Sequence, residues 1–429
     1  MYWEFTNDAA QGKQGLDFMR NNLKSINSKL PYSDKIANIP LANRNLIITG
    51  VNGCGKTQFL ESIFEYLQKR VMQKQNTPIT DLRNLLESNQ RALQSLTKAD
   101  ANYSFYEDAV KRYKAQLVVA LNPPVEFSDL QGFVIDVEEQ RAVLLKFAAT
   151  RQAKIRESKG SKSTATLKDE VKTSEAALLF EEYLVSQKTL QAYAESPRMA
   201  NNPTEAANIA AWFDKLEADL RELFEDDSLI LHFDYNVQAF YIRQSGKADY
   251  SFQQLSSGFS SVLAIYAELL TKIQLGATSV ADVYGIVIVD EIDAHLHVSL
   301  QRKILAFLVR SFPCIQFIVS THSPFVVSSI SDAVIYDLST LECVDDLSMY
   351  SYESILSGLF NTSPVSEVLK EKILALGRLL ESPDMDVDVV EGYVKDIGEH
   401  EGVLDSESAF FLKKARVVVN KSKSGSKDV

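Results

Sequence analysis

A mixed α/β fold, with a parallel-rich sheet flanked by helices, is the class this sequence predicts. Three observations lead there. The apolar run Leu46-Ile47-Ile48 enters a glycine-rich segment, GVNGCGKT at residues 50–57, and a helical pattern follows from Thr57. A second apolar run, YGIVIV from Tyr284, ends in two adjacent acids, Asp290 and Glu291. From Leu255 onward, helical and strand-like segments alternate. That alternation is what a parallel sheet covered by helices requires.

Taken in order, residues 5–45 precede the glycine-rich segment and carry no diagnostic side chain. After it, residues 68–115 are charged and helical. Leu82, Leu85, Leu86, Ala92, Leu93 and Leu96 recur at three and four, as in an amphipathic helix. Clean heptads are not sustained, so a short helical hairpin or bundle is expected; a coiled-coil arm stays open as the alternative. Residues 132–137 and 142–149 read as β-like. Residues 151–163, basic and rich in small side chains, read as a mobile loop. A second helical block, residues 167–226, is interrupted near Pro197 and Pro203. Residues 229–233 and 238–243 look like a β-hairpin. Helices at 262–275 and 299–311 then alternate with strands at 284–290 and 316–320. The expected organisation is a discontinuous core (residues 1–70, 117–155 and 229–345), a helical insertion (71–116 and 165–226) and a C-terminal helical region (346–429).

With 429 residues, 45% of them hydrophobic, the chain can bury a large core. Its net charge of -12 argues against a protein that coats nucleic acid. Cys54, Cys314 and Cys343 form no spacing pattern, so a reducing compartment without disulfides is expected. The N-terminal residues lack a signal-peptide layout, and the apolar runs are too short to span a bilayer. A soluble cytoplasmic protein is the expectation.

Four motifs carry chemistry. GVNGCGKT matches G-x-x-x-x-G-K-[ST], in which glycines let successive N–H groups face phosphate oxygens at a helix start. Gly50, Asn52, Gly53, Cys54, Gly55, Lys56, Thr57 and Gln58 are the candidate phosphate contacts; Lys56 is expected on the terminal phosphates and Thr57 on magnesium. The bland alternative is an ordinary glycine turn. In YGIVIVDEIDAHLH, Asp290 falls at a strand's carboxyl end, where it can hold magnesium; Glu291 can then orient or deprotonate an attacking water. Without the first motif this would be only a strand end. LSSGFSS at residues 255–261 offers Ser256, Ser257 and Gly258 at a helix start, as an anion site or as a plain N-cap. In FIVSTHSP, a β-branched strand ends at Ser320 and His322 follows. A lone histidine is more often structural, but its place in this series marks it as a candidate.

In this order the motifs resemble the ABC-type ATPase heads of the SMC/Rad50-like superfamily. DEIDAHLH followed by STHSP is similar to its OLD-like branch, whose members serve in phage defence and DNA repair. The resemblance covers roughly residues 41–70 and 229–338. Ile292 stands where that branch usually has proline; Ser257 and Phe259 stand where the signature usually has glycine and glutamine. The resemblance implies a head-to-tail dimer with two ATP molecules between the chains. The glycine-rich loop, Asp290, Glu291 and the switch-type His322 of one chain would face Ser256 and Gly258 of the other. It also implies a glutamine on magnesium, for which Gln152 is the candidate and Gln140 the alternative.

Many OLD-like proteins continue into a Toprim nuclease, and no such pattern follows His322 here. The one acidic cluster, Asp384, Asp386 and Asp388, reads as a helix start. The resemblance therefore implies an ATPase that senses or gates a separate effector, a nuclease or toxin, as in phage-defence pairs of the PARIS, Septu or retron type. A DNA-repair clamp and an assembly scaffold with little turnover are the competing expectations. A nucleic acid touching the basic residues 151–162 and a phage protein as trigger stay open as further partners. The apolar patch after Glu407 is expected to pack on the chain's own core, with partner docking as the alternative.

Overall fold

The computed structural model describes residues 22–31, 33–73, 76–276, 283–344, 346–360, 362, 365–382 and 385–425. The chain divides into two compact units, residues 1–350 and 351–429. Strands of the first unit are β1 (Leu23–Lys29), β2 (Ile36–Pro40), β3 (Asn45–Thr49), β4 (Val125–Phe127), β5 (Ala142–Phe147), β6 (Ile230–Asp234), β7 (Ala239–Arg243), β8 (Tyr284–Val289), β9 (Ile315–Ser320), β10 (Ala333–Asp337) and β11 (Glu342–Val344). Its helices are α1 (Lys56–Val71), α2 (Ile79–Gln94), α3 (Tyr103–Leu121), α4 (Leu130–Glu138), α5 (Thr164–Glu170), α6 (Phe180–Glu195), α7 (Pro203–Phe224), α8 (Ser257–Gly276), α9 (Val298–Gln301), α10 (Ile304–Ser311) and α11 (Pro324–Val327).

The central sheet has the order β11-β10-β3-β9-β8-β5. All its pairings are parallel except β10 with β11. Every residue of β9, and all of β8 after Tyr284, is buried, which explains why both strands read as unbroken apolar runs rather than alternating ones. Gly285 is required where β8 meets β5, because a Cβ there would lie 2.2 Å from the Val143 carbonyl oxygen. A small sheet, β2-β1-β4, lies against the same core. The buried Gln316 side chain ties it to β9, accepting from the Leu23 N–H at 2.9 Å and donating to the Leu23 and Arg44 carbonyls at 3.2 and 2.8 Å.

Helices α2 and α3 pack as a hairpin of 16 and 19 residues. Helices α6, α7 and α8 pack on one another, and α6 and α7 meet β7 of the hairpin β6-β7. Three expectations need correction. Residues 132–137 lie in α4, not in a strand: Asp129 caps the helix by accepting from the Gly132 N–H at 3.0 Å. The short β-branched run could not by itself distinguish the two periods. The helix expected at 299–311 is two pieces, α9 and α10. Residues 151–163 form no regular element, yet they are pinned rather than loose. Arg151, Ile155 and Ser158 are buried. Arg156 pairs with Glu182 at 2.6 Å and Glu170 at 3.0 Å, and Lys162 with Glu170 at 2.7 Å.

The second unit holds α12 (Tyr352–Gly358), α13 (Glu367–Glu381), α14 (Val387–Gly398) and α15 (Ser406–Gly425). Its core includes Leu376, Val390, Leu412 and Ala415, so α15 packs on its own unit. Asp386 caps α14, accepting from the N–H groups of Asp388 and Val389. Asp384 and Phe5 lie outside the described residues. Among the described residues, no helix is long and apolar enough to cross a membrane.

Candidate functional site

The site gathers at the carboxyl ends of β3, β8 and β9, which are neighbours in the sheet order. Strand β3 leads into Gly50, and α1 begins at Lys56. Gly50, Gly53 and Gly55 take φ of 135°, 81° and 96°, a region that side-chain-bearing residues resist. No side chain caps α1, so its first N–H groups are left for an external acceptor. Asn52, Gly53, Thr57 and Gln58 are exposed, while Lys56 is buried. The Lys56 ammonium donates to the Gly50 and Val51 carbonyls at 3.0 and 3.4 Å. Burial lowers its pKa, and Cys54, Glu291, Asp290 and Asp337 offset part of that loss. The loop is braced from the turn after β10: Ser339 Oγ accepts from the Val51 N–H at 2.8 Å, and Asp337 accepts from the Ser339 N–H at 2.7 Å.

One hydroxyl organises the acid pair. Ser320 Oγ donates to Asp290 Oδ1 at 2.6 Å and accepts from the Glu291 N–H at 2.8 Å. Asp290 is buried, and Glu291 turns the chain with φ of 42°. Arg151 then grips this turn from behind. Its guanidinium donates to the carbonyls of Asp290 at 3.0 Å, Ile292 at 2.8 Å and Ala148 at 3.1 Å, with a longer contact to Glu291 at 3.3 Å. Burial drops the Arg151 pKa to about 10, with Asp293, Asp290 and Glu291 opposing the drop, so it remains a cation at neutral pH. The same segment reaches α8: the Ala153 N–H donates to the Ser260 hydroxyl at 3.0 Å and carbonyl at 3.1 Å.

His322 follows Thr321, whose hydroxyl holds Asp293 at 2.5 Å. Burial first, and then Lys56, push the imidazole below its ordinary pKa of 6.5; Asp293, Glu291 and Asp290 oppose this. The neutral form is therefore favoured in the folded chain. Between the folded pKa and 6.5 the unfolded chain binds more protons, so this histidine makes stability fall as pH drops through that window. Melting temperatures at pH 7.5 and 5.5 should show the wild type losing more on acidification than His322→Gln; equal losses would remove the assigned shift.

Gln152 is exposed and adjoins Arg151 beyond the carboxyl end of β5. Gln140 stands before the amino end of that strand, at the opposite end of the parallel strands from Asp290, and so falls out as the alternative. Ser256 and Ser257 are exposed at the start of α8. A Cβ on Gly258 would meet the His295 carbonyl at 3.0 Å, so the glycine permits close approach to the turn after Glu291. Among the described residues no hydrogen bond joins Ser256, Ser257 or Gly258 to residues 50–57 of the same chain. Phe259, in the usual glutamine position, stacks on Phe224 with ring centres 4.4 Å apart.

A glycine-rich loop, an acid pair and a histidine at the ends of neighbouring parallel strands are the layout of a P-loop nucleotide-binding fold. The chain belongs to the AAA_21 family, described as "AAA domain, putative AbiEii toxin, Type IV TA system", which matches residues 46–328. It is 43% identical over 86 residues to "Retron Ec83 probable ATPase" of Escherichia coli, covering 19% of this chain and 16% of that protein. It is 32% identical over 164 residues to "Septu protein PtuA" of Bacillus thuringiensis, covering 37% and 38%. The matches thus span well under half of each relative's length. A solved SMC head bound to the C-terminal winged-helix domain of ScpA aligns over 76% of this chain and 95% of its own, at 12% identity and a TM-score of 0.34.

Proposed function

We propose that the chain binds ATP with magnesium and hydrolyses it as a head-to-tail dimer, and that its nucleotide state controls a separate effector in phage defence. The observation that carries hydrolysis is the acid turn. Asp290 is fixed by Ser320, and the Glu291 backbone is held from both sides by Ser320 and Arg151. Such an arrangement holds one carboxylate for a metal and aims the next at a water. The donor set fits magnesium: the Thr57 hydroxyl and the Asp290 carboxylate are hard oxygen ligands, and Gln152 follows the carboxyl end of β5, the strand paired with β8. When bound, magnesium neutralises charge on the transferring phosphate. Gly53 borders the open space a phosphate chain needs, and the positive φ of Gly50, Gly53 and Gly55 curls the backbone around it; Asn52, Cys54 and Gln58 complete the loop. Lys56 is assigned to the terminal phosphates, and neutral His322 to a hydrogen bond there.

Ser256, Ser257 and Gly258 are assigned to the partner's nucleotide, because the two serines are exposed and, among the described residues, none of the three hydrogen-bonds its own phosphate loop. Mixing Lys56→Ala chains with Ser256→Arg chains, each inactive alone, tests this. Random pairing makes half the dimers mixed, each with one intact site, so about a quarter of wild-type turnover should return. No recovery would place the signature in its own chain's site. The defence role rests on the motif resemblance and on relatives named as retron and Septu proteins. It predicts a defined protein whose co-purification with tagged chain differs between ATP and ADP. Co-purification of DNA alone would favour a DNA clamp instead.

A further inference from the structure

Helices α6, α7 and α8 do not close fully on one another. Between them and the end of α10 lies a cavity of about 450 Å³, within the usual range for small-molecule sites. No residue of the phosphate loop, the acid pair or the histidine lines it. Trp212, Tyr183 and Phe312 give it aromatic walls, and Ile209 and Leu270 give it aliphatic ones. The Trp212 and Tyr183 rings meet edge-on with centres 5.7 Å apart, so the indole is set by packing.

The polar groups of the cavity come from all four helices and are almost all neutral. The Tyr183 hydroxyl donates to Gln274 Oε1 at 3.2 Å, which occupies the oxygen of that amide and leaves its NH2 for an acceptor. The Tyr266 hydroxyl donates to Asp219 at 2.8 Å, and the Lys215 ammonium lies 3.2 Å from the same carboxylate. The single charged pair is thus compensated internally. Among the described residues, the buried Ser311 Oγ has no hydrogen-bond partner. Gln187 and Asn208 contribute further amides. A buried hydroxyl without a partner costs stability unless something occupies the space beside it.

We propose that this cavity is a second binding site, distinct from the phosphate loop, for an uncharged planar nitrogen heterocycle: a nucleobase. The aromatic walls offer stacking surface. The amides and hydroxyl offer the mixed donors and acceptors that a base edge pairs with. An aliphatic ligand would leave Ser311 and the amides unmatched, and an anionic group would meet Asp219. The base can arrive on a free nucleoside or as an unpaired base of a strand.

Trp212 is one of two tryptophans, so Trp3→Phe makes it the sole indole reporter. Adding Lys56→Ala removes phosphate-loop binding from the signal, so the outcome does not depend on whether the chain hydrolyses ATP. The four ribonucleosides and short single-stranded oligonucleotides are then titrated separately. Saturable quenching of Trp212 is expected, with a dissociation constant below about 1 mM. Ser311→Ala and the rim variant Asn208→Ala should each weaken it about tenfold. Without ligand, Ser311→Ala should keep or raise the melting temperature, since it removes a buried hydroxyl that has no partner. Quenching by nucleosides assigns the site to a small molecule; quenching by strands alone assigns it to an unpaired base. No saturation by any of them at about 10 mM, or binding unchanged in both variants, overturns the proposal.

Discussion

Glu291→Gln should leave ATP bound and intact. The substitution keeps the side chain's shape and the backbone bonds to Ser320 and Arg151, because both are made by main-chain atoms of residue 291. What it removes is the carboxylate that would orient and deprotonate water. General-base catalysis contributes about 10²–10⁴-fold, so phosphate release should fall by at least about a hundredfold. Affinity for ATP should change by less than about threefold, since the contacts assigned to the phosphates lie on residues 50–58. Under the dimer reading the variant should also accumulate as an ATP-held dimer, visible by mass measurement in solution. Turnover within tenfold of wild type would show that Glu291 is not the base. Loss of ATP binding together with turnover would show that the substitution had disturbed the loop instead.

Arg151→Ala should be the most damaging change outside the motifs. It strips donors from the carbonyls of Ala148, Asp290 and Ile292, of which the latter two stay buried behind the acid turn. Unmade buried hydrogen bonds cost about 1–3 kcal/mol each and do not add fully, so a loss of about 3 kcal/mol is expected. In a unit as large as residues 1–350 that is a melting-temperature drop of roughly 4 °C. Arg151→Lys retains the charge but not the fork, and should lie between the two. Below its melting range, Arg151→Lys should lose turnover more than ATP affinity, because Glu291 loses an anchor while the phosphate loop keeps its own brace from Ser339. A variant that melts early yet turns over normally would make Arg151 purely structural.

The parts of the site that the sequence displayed are those made by neighbours along the chain. Residues 50–57 form strand end, loop and helix start within one short stretch, so spacing alone reveals them. Asp290 and Glu291 stand out because β8 is buried on both faces and its apolar run stops at them. The residues that hold the site in shape were not visible. Ser320 works on acids 30 and 29 positions earlier, and Ser339 on a loop residue 288 positions earlier. In the sequence Arg151 is one charge in a basic loop, because composition shows a charge but not the carbonyls that surround it. The short run of α4 fits a strand as well as a helix, and only Asp129 just before it, as a cap, marks the helix. The pinning of residues 151–163 depends on Glu170 and Glu182, which lie in other helices.

The link between residues 151 and 153 has a wider consequence. Arg151 holds the turn that carries Glu291, and Ala153 holds the first turn of α8, directly after Ser256. Two residues of backbone therefore yoke the chain's own reactive centre to the hydroxyl it would lend its neighbour. In the proposed dimer, a shift of the acid turn at one nucleotide would be carried to the other as a lever arm carries it. The two sites would respond together, and turnover plotted against ATP concentration would rise as a sigmoid rather than a hyperbola.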